Sequence, residues 1–118
     1  MSAADLRRRV EELQQWIAAG RILPALDEFY APDVVMQENQ QPPCTGLAAN
    51  RERERAFVEA VREWKLFRVL SLAVTGDISF VESEMRFVLR DGTEVHQVQV
   101  SRARWKDGRI VDERFYHG

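Results

Sequence analysis

Few side chains in this sequence stand where their type and spacing could do chemistry, and most of them lie around one predicted hairpin. With Asp91-Gly92 as a two-residue type I′ turn, Arg90 pairs with Thr93, and the ladder sets Arg86 opposite Gln97, Glu84 opposite Gln99 and Glu82 opposite Ser101. Glu84 and Arg86 are then two apart on one face, in ion-pair reach, with two amides beside them to bind a polar ligand group. On the opposite face the same register places Val81, Ser83, Met85, Phe87 and Leu89 with His96, Val98 and Val100. His96 therefore belongs with the apolar residues, and His117 lies at the fraying end of the chain. Cys44 has no histidine near it in sequence and reads as an inert loop thiol.

Composition narrows the setting. The chain has 118 residues, 45% apolar and 31% charged, with 17 basic against 19 acidic side chains, so it is read as one soluble domain over residues 1–118. A single cysteine and two histidines leave no internal disulfide and little for metal ligation. A net charge of -2 lacks the basic footprint of a nucleic-acid binder. No run reaches the length of a membrane span, and the charged start Met1-Ser2-Ala3-Ala4-Asp5 has no apolar signal core, which predicts a cytoplasmic protein.

The elements that must position these residues follow from periodicity. Ser2 and Asp5 form a capping pattern ahead of Leu6, Val10, Leu13 and Ile17, predicting a helix over residues 4 to 19 that Gly20 stops. A short helix with Pro24 near its first turn follows, then a strand over 34 to 38 and a Pro-rich loop to Gly46. Residues 48 to 64 read as a third helix burying Phe57, Val61 and Trp64, with its Arg51-Glu52-Arg53-Glu54-Arg55 run as a solvated face. Strands are predicted over 67 to 75, 78 to 90, 93 to 105 and 109 to 116. Helices first and a meander later give an α+β domain with a mostly antiparallel sheet curling around the helices.

Two assignments of the sheet faces follow. Either the apolar face is the core and the glutamates are solvated, or the polar face lines a cavity and the apolar face packs on a partner. The polar face turns apolar at its far end, through Phe80, Ala103 and Trp105, as a cavity with a closed floor would.

The layout, with the strings Trp16-Ile17-Ala18-Ala19-Gly20, Phe29-Tyr30-Ala31-Pro32-Asp33-Val34-Val35 and Trp105-Lys106-Asp107-Gly108-Arg109-Ile110-Val111, resembles the nuclear transport factor 2-like superfamily. More narrowly it resembles the SnoaL-like polyketide cyclase and ketosteroid isomerase branch. The resemblance implies a cone-shaped curved sheet wrapped around three N-terminal helices, a ligand cavity on the concave face and a homodimer through the outer one. It turns Glu82, Glu84, Arg86, Gln97, Gln99, Ser101, Ala103 and Trp105 inward. Trp16 in the first helix and Tyr30 at the end of the second are aromatic residues that either cap the cavity or pack in the core.

The isomerases' helix tyrosine, strand-end aspartate and late-strand carboxyl fall on Leu13, Glu38 and Ser101, which leaves Glu38 as base without the usual oxyanion donors. The cyclases' acid/base carboxylate falls on Glu113, beside Phe115 and His117. Of the epoxide hydrolases' relay, Glu84 and Arg86 match part, while its last aspartate falls on Phe115.

The expected function is cofactor-independent proton transfer on a small, largely apolar carbonyl compound, with Glu38 as base and Glu84 or Glu113 as partner acid. The alternatives are a non-catalytic carrier and a dimerisation module with a vestigial cavity. A homodimer is expected because a face carrying Val81, Met85, Phe87, Leu89, Val98 and Val100 is too apolar to stay wet.

Overall fold

A computed structural model describes residues 1–118. The Ser2 side chain accepts the Asp5 N–H and starts α1 (Ala3–Ala18), whose buried stripe is Leu6, Val10 and Leu13. Gly20, at φ 79°, takes the left-handed turn that a β-carbon would disfavour, and α2 (Ile22–Phe29) begins at once. β1 (Tyr30–Glu38) follows without a loop, then the two-residue β2 (Cys44–Thr45), α3 (Leu47–Ala60), and four long strands: β3 (Val61–Thr75), β4 (Ile78–Leu89), β5 (Glu94–Lys106) and β6 (Arg109–His117).

The strands form one curved sheet in the order β2-β1-β6-β5-β4-β3, antiparallel except where β1 runs beside β6. Its concave side closes over the three helices, giving the expected cone of sheet around helices. Leu6, Val10 and Leu13 meet Leu26, Phe29, Val34, Ala103, Trp105 and Ile110 in one core at the closed end. No helix is long and apolar enough to cross a membrane.

Apart from the two-residue β2, which pairs with β1 inside the expected Pro-rich loop, two element boundaries differ from the sequence expectation. β1 starts at Tyr30, because Tyr30 pairs with Ile110 before a bulge that spans Pro32, a residue with no N–H to give the ladder. α3 stops at Ala60, four residues early. The Ala60 carbonyl accepts the Arg90 N–H at 3.0 Å, and the segment from Val61 on joins β4 through Val61–Leu89 and Trp64–Phe87 pairs. Trp64 is thus a strand residue, stacked edge-on against Phe57 at 5.7 Å.

The third difference decides what the sheet faces carry. The β4–β5 connection is a three-residue loop, Arg90-Asp91-Gly92: the Leu89 N–H donates to the Thr93 carbonyl at 2.8 Å, and Gly92 sits at φ 92°. Compared with a two-residue turn, the ladder slips by one. Arg86 faces His96, Glu84 faces Val98 and Glu82 faces Val100. A slip of one residue reverses one strand relative to the other. The concave face therefore combines Val81, Ser83, Met85 and Phe87 with Gln97, Gln99 and Ser101. Glu82, Glu84 and Arg86 share the outer face with His96, Val98 and Val100, so Val81, Met85 and Phe87 leave the set expected on a partner.

Candidate active site

The helices do not fill the cone. Between them and the sheet lies a cavity of about 580 Å³. Its walls are mostly apolar: Leu13 and Ile17 from α1, Leu26 from α2, Phe57 from α3, and Trp64, Met85 and Phe87 from the sheet. Phe57, Trp64 and Phe87 contact one another with ring centroids 5.2 to 5.7 Å apart, forming one aromatic wall.

Against this lining the polar groups fall into two clusters. The deep cluster is Glu113, 4% exposed, whose Oε1 accepts the Tyr30 hydroxyl at 2.6 Å and whose Oε2 accepts the Ser101 hydroxyl at 2.6 Å. Three strands build it: Tyr30 opens β1, Ser101 lies on β5 opposite Phe115, and Glu113 pairs with Met36 on the parallel strand. Burial pushes the Glu113 carboxyl up to about 7, against the pull of the two hydroxyl donors, which favour its ionised form. Burial and the neighbouring Glu113 charge together hold the Tyr30 hydroxyl well above its ordinary value.

The second cluster is more exposed. Glu38, at the end of β1, shares a 2.8 Å hydrogen bond with His117 Nε2 and lies 3.4 Å from Arg53 Nη1. Glu54, beside Arg53 on α3, has its carboxyl raised by burial, with Arg53 opposing and Glu38 reinforcing the shift. Asn50, fully buried, anchors this part of α3 by donating to the carbonyls of Cys44 at 3.0 Å and Gly46 at 2.8 Å.

Seven of the residues singled out from sequence line the cavity: Glu38, Glu113, Tyr30, Gln97, Gln99, Ser101 and Phe115. Five do not. Glu84 is on the outer face, bound to Arg68 at 2.6 Å and His96 at 2.6 Å, and these partners hold its carboxyl below the usual range. Glu82 accepts from the Ser71 hydroxyl at 3.0 Å on that same face, with Arg86 alongside. The slipped register moved all three.

Trp16 packs edge-on against Phe29 at 5.2 Å, under the Arg21 guanidinium, instead of capping the cavity. Trp105 is core, 4% exposed, its Nε1 donating to Ser79 Oγ at 2.9 Å.

Sequence reasoning missed Arg53 and Glu54, assigned to a solvated charge run, and Asn50. A signal was present: Asn50, Arg53, Glu54 and Phe57 follow the i, i+3, i+4, i+7 spacing of a single helix face.

A family model described as a SnoaL-like domain matches residues 10–113. The chain belongs to the SnoaL-like family. Among solved structures, this SnoaL-like domain is similar to a Mesorhizobium loti protein assigned as a SnoaL-like polyketide cyclase. The two share 22% identity, with 98% of this chain and 99% of that one covered, at a TM-score of 0.83. A Burkholderia pseudomallei nuclear transport factor 2-like protein of unknown function matches with 18% identity, coverage of 100% and 92%, and a TM-score of 0.83. An epoxide hydrolase of Mycobacterium tuberculosis matches with 16% identity, coverage of 98% and 84%, and a TM-score of 0.81. At such identities the likeness establishes the shared fold. No curated protein matches the sequence.

Chemically, the SnoaL-like cavity offers carboxyls, hydroxyls, amides, one imidazole, one guanidinium and the Lys65 ammonium. No three His, Cys, Asp or Glu side chains converge as a metal ion would require. A glutamate that titrates near neutrality in an apolar cavity is suited to give and take a proton.

Proposed function

We propose that this SnoaL-like domain is a cofactor-independent isomerase or cyclase that moves protons on a small, largely apolar carbonyl compound, with Glu113 as its acid/base. The observation that carries the proposal is the deep carboxyl itself, brought to about 7 by burial on an apolar cavity wall. As base, ionised Glu113 takes a proton from the carbon next to the carbonyl, and the C–H electron pair moves onto the carbonyl oxygen to give an enolate. As acid, the protonated form returns that proton to a carbon of the conjugated system. Tyr30 and Ser101 fix the two carboxylate oxygens throughout, each occupying one lone-pair position and leaving another for the proton. The Glu38–His117 pair serves as the second proton-handling group.

The test uses enolisable ketones in heavy water, β-tetralone among them, with solvent deuterium entry at the α-carbon followed by proton NMR. The expected result is exchange above the buffer rate that rises through a midpoint near 7, as Glu113 ionises, and is lost in Glu113→Gln. No Glu113-dependent exchange across the ketones would overturn the proposal.

A second reading, a non-catalytic carrier, is favoured by the fact that Tyr30 and Ser101 already satisfy both oxygens of Glu113. Ketones that bind but never exchange would establish it.

A further inference from the structure

The charged groups around the cavity are unequally committed. Glu113 is held by two hydrogen bonds of 2.6 Å, and Glu38 by His117 at 2.8 Å. Lys65, the other cation on the wall, is tied to Glu94 at 3.0 Å. Arg53 is held loosely. Its contacts are Asn50 Oδ1 at 3.3 Å, Glu38 Oε1 at 3.4 Å, Glu54 Oε1 at 3.5 Å and Met36 Sδ at 3.9 Å, and its buried Nε has no acceptor at all.

Guanidinium–carboxylate bonds ordinarily close to about 2.7–2.9 Å. Arg68 and Arg102 do so here, at 2.6 and 2.7 Å. The Nε N–H is closed off as well as unpaired, so the donors a ligand can reach are the two Nη groups, whose contacts of 3.3 to 3.5 Å leave them capacity that nothing in the protein fully uses. It lies one helical turn before Phe57, the α3 member of the aromatic wall.

We propose that Arg53 is the receptor for an anionic oxygen of the ligand, so that the cavity takes a small, mostly apolar carboxylate whose body lies on Phe57, Trp64 and Phe87. Of the acids on the same wall, Glu38 is paired with His117, while burial favours the protonated, uncharged forms of Glu54 and Glu113. The inference rests on the cavity being the functional site, as proposed above, and is independent of the chemistry assigned to Glu113.

Calorimetric titration with β-naphthoate and with its neutral analogue β-naphthalenemethanol tests it. The unsubstituted protein should bind the acid at least about tenfold more tightly than the alcohol. Arg53→Gln should bring the two affinities together while leaving alcohol binding intact, which also reports that the cavity is still formed. Arg53→Lys, which keeps the charge and loses the planar fork, should retain part of the preference. The proposal fails if the unsubstituted protein shows no preference for the acid, if the preference survives Arg53→Gln, or if Lys65→Gln removes it instead. A surviving preference alongside Glu113-dependent exchange would remove the receptor and leave the catalytic reading in place. Loss of the preference in a protein that exchanges no ketone would do the reverse.

Discussion

The Tyr30 hydroxyl donates to Glu113 Oε1 at 2.6 Å across 83 positions of chain, joining the first residue of β1 to the middle of β6. Because the donor favours the ionised carboxylate, its removal must raise the Glu113 midpoint above about 7. Tyr30→Phe is therefore expected to move the pH profile of deuterium exchange to higher pH. At pH values where Glu113 is ionised, the orphaned oxygen should also cost about 1–3 kcal/mol in urea unfolding. An unmoved profile would show that the hydroxyl does not act on Glu113.

Glu113 should also set the pH dependence of stability. An unfolded glutamate titrates near 4.5 and the folded one near 7. Between those values the native state holds a proton that the unfolded chain has released, so stability falls as pH rises through this window. The full cost, present above the folded midpoint, is on the order of 3 kcal/mol. Glu113→Gln cannot ionise, and its amide still meets the Tyr30 and Ser101 hydroxyls. It is expected to unfold at higher urea than the unsubstituted protein at pH 8, with the two converging at pH 5. Parallel curves at both values would show that Glu113 titrates as an ordinary glutamate.

How much of this was legible beforehand depended on what each residue's immediate neighbours declare. The Ser2 cap, the Gly20 stop and the three glycine-bearing hairpins announce themselves locally, and β4, β5 and β6 match their expected bounds within one residue, whereas β1 starts four residues and β3 six residues earlier than expected and β2 lies in the expected loop. The register was not, since a two-residue and a three-residue loop at Asp91-Gly92 both give alternating strands, and only the Leu89–Thr93 closure distinguishes them. That single slip carried Glu82, Glu84 and Arg86 to the wrong face. Glu113 and Ser101 kept their expected inward parity because they belong to the β5–β6 pair. Tyr30 was assigned to the end of a helix, and its hydrogen bond to β6 depends on a parallel strand pairing that no local pattern reveals. Arg53 lay hidden in a run of alternating charges whose other members, such as Arg55 with Glu52 and Glu59, do face solvent.

The outward placement of Glu84 can be tested directly. It is bound to Arg68 and His96 on the convex side, away from the cavity lining. Glu84→Gln is expected to leave Glu113-dependent exchange within about twofold of the unsubstituted rate. A loss as large as that of Glu113→Gln would restore the two-residue turn and its inward Glu84.

The same outer face is the surface through which we propose that two copies pair. Phe80, Val98 and Tyr116 are 39%, 44% and 43% exposed there, and Val100 lies between them, opposite Glu82 on one side and Tyr116 on the other. Charged groups border this patch: the Arg68–Glu84–His96 cluster toward one end and the Arg102–Asp112 pair toward the other. A lasting homodimer of this kind buries about 1,200–2,000 Å² in total, which requires most of the convex face of β4 to β6. Sedimentation of the unsubstituted protein at about 10 μM, a concentration at which an interface of that size normally remains closed, should show a dimer. Val98→Arg places a long charged side chain on the apolar patch next to Val100 and should yield a monomer. Since neighbouring β5 residues point to opposite sides of the sheet, the substitution leaves the Gln97 and Gln99 side chains on the cavity wall. The monomer should therefore keep the folded spectrum and the Glu113 titration of the parent. A monomeric parent would remove the dimer, and a monomeric variant that lost the Glu113 titration would show that the two faces are not independent.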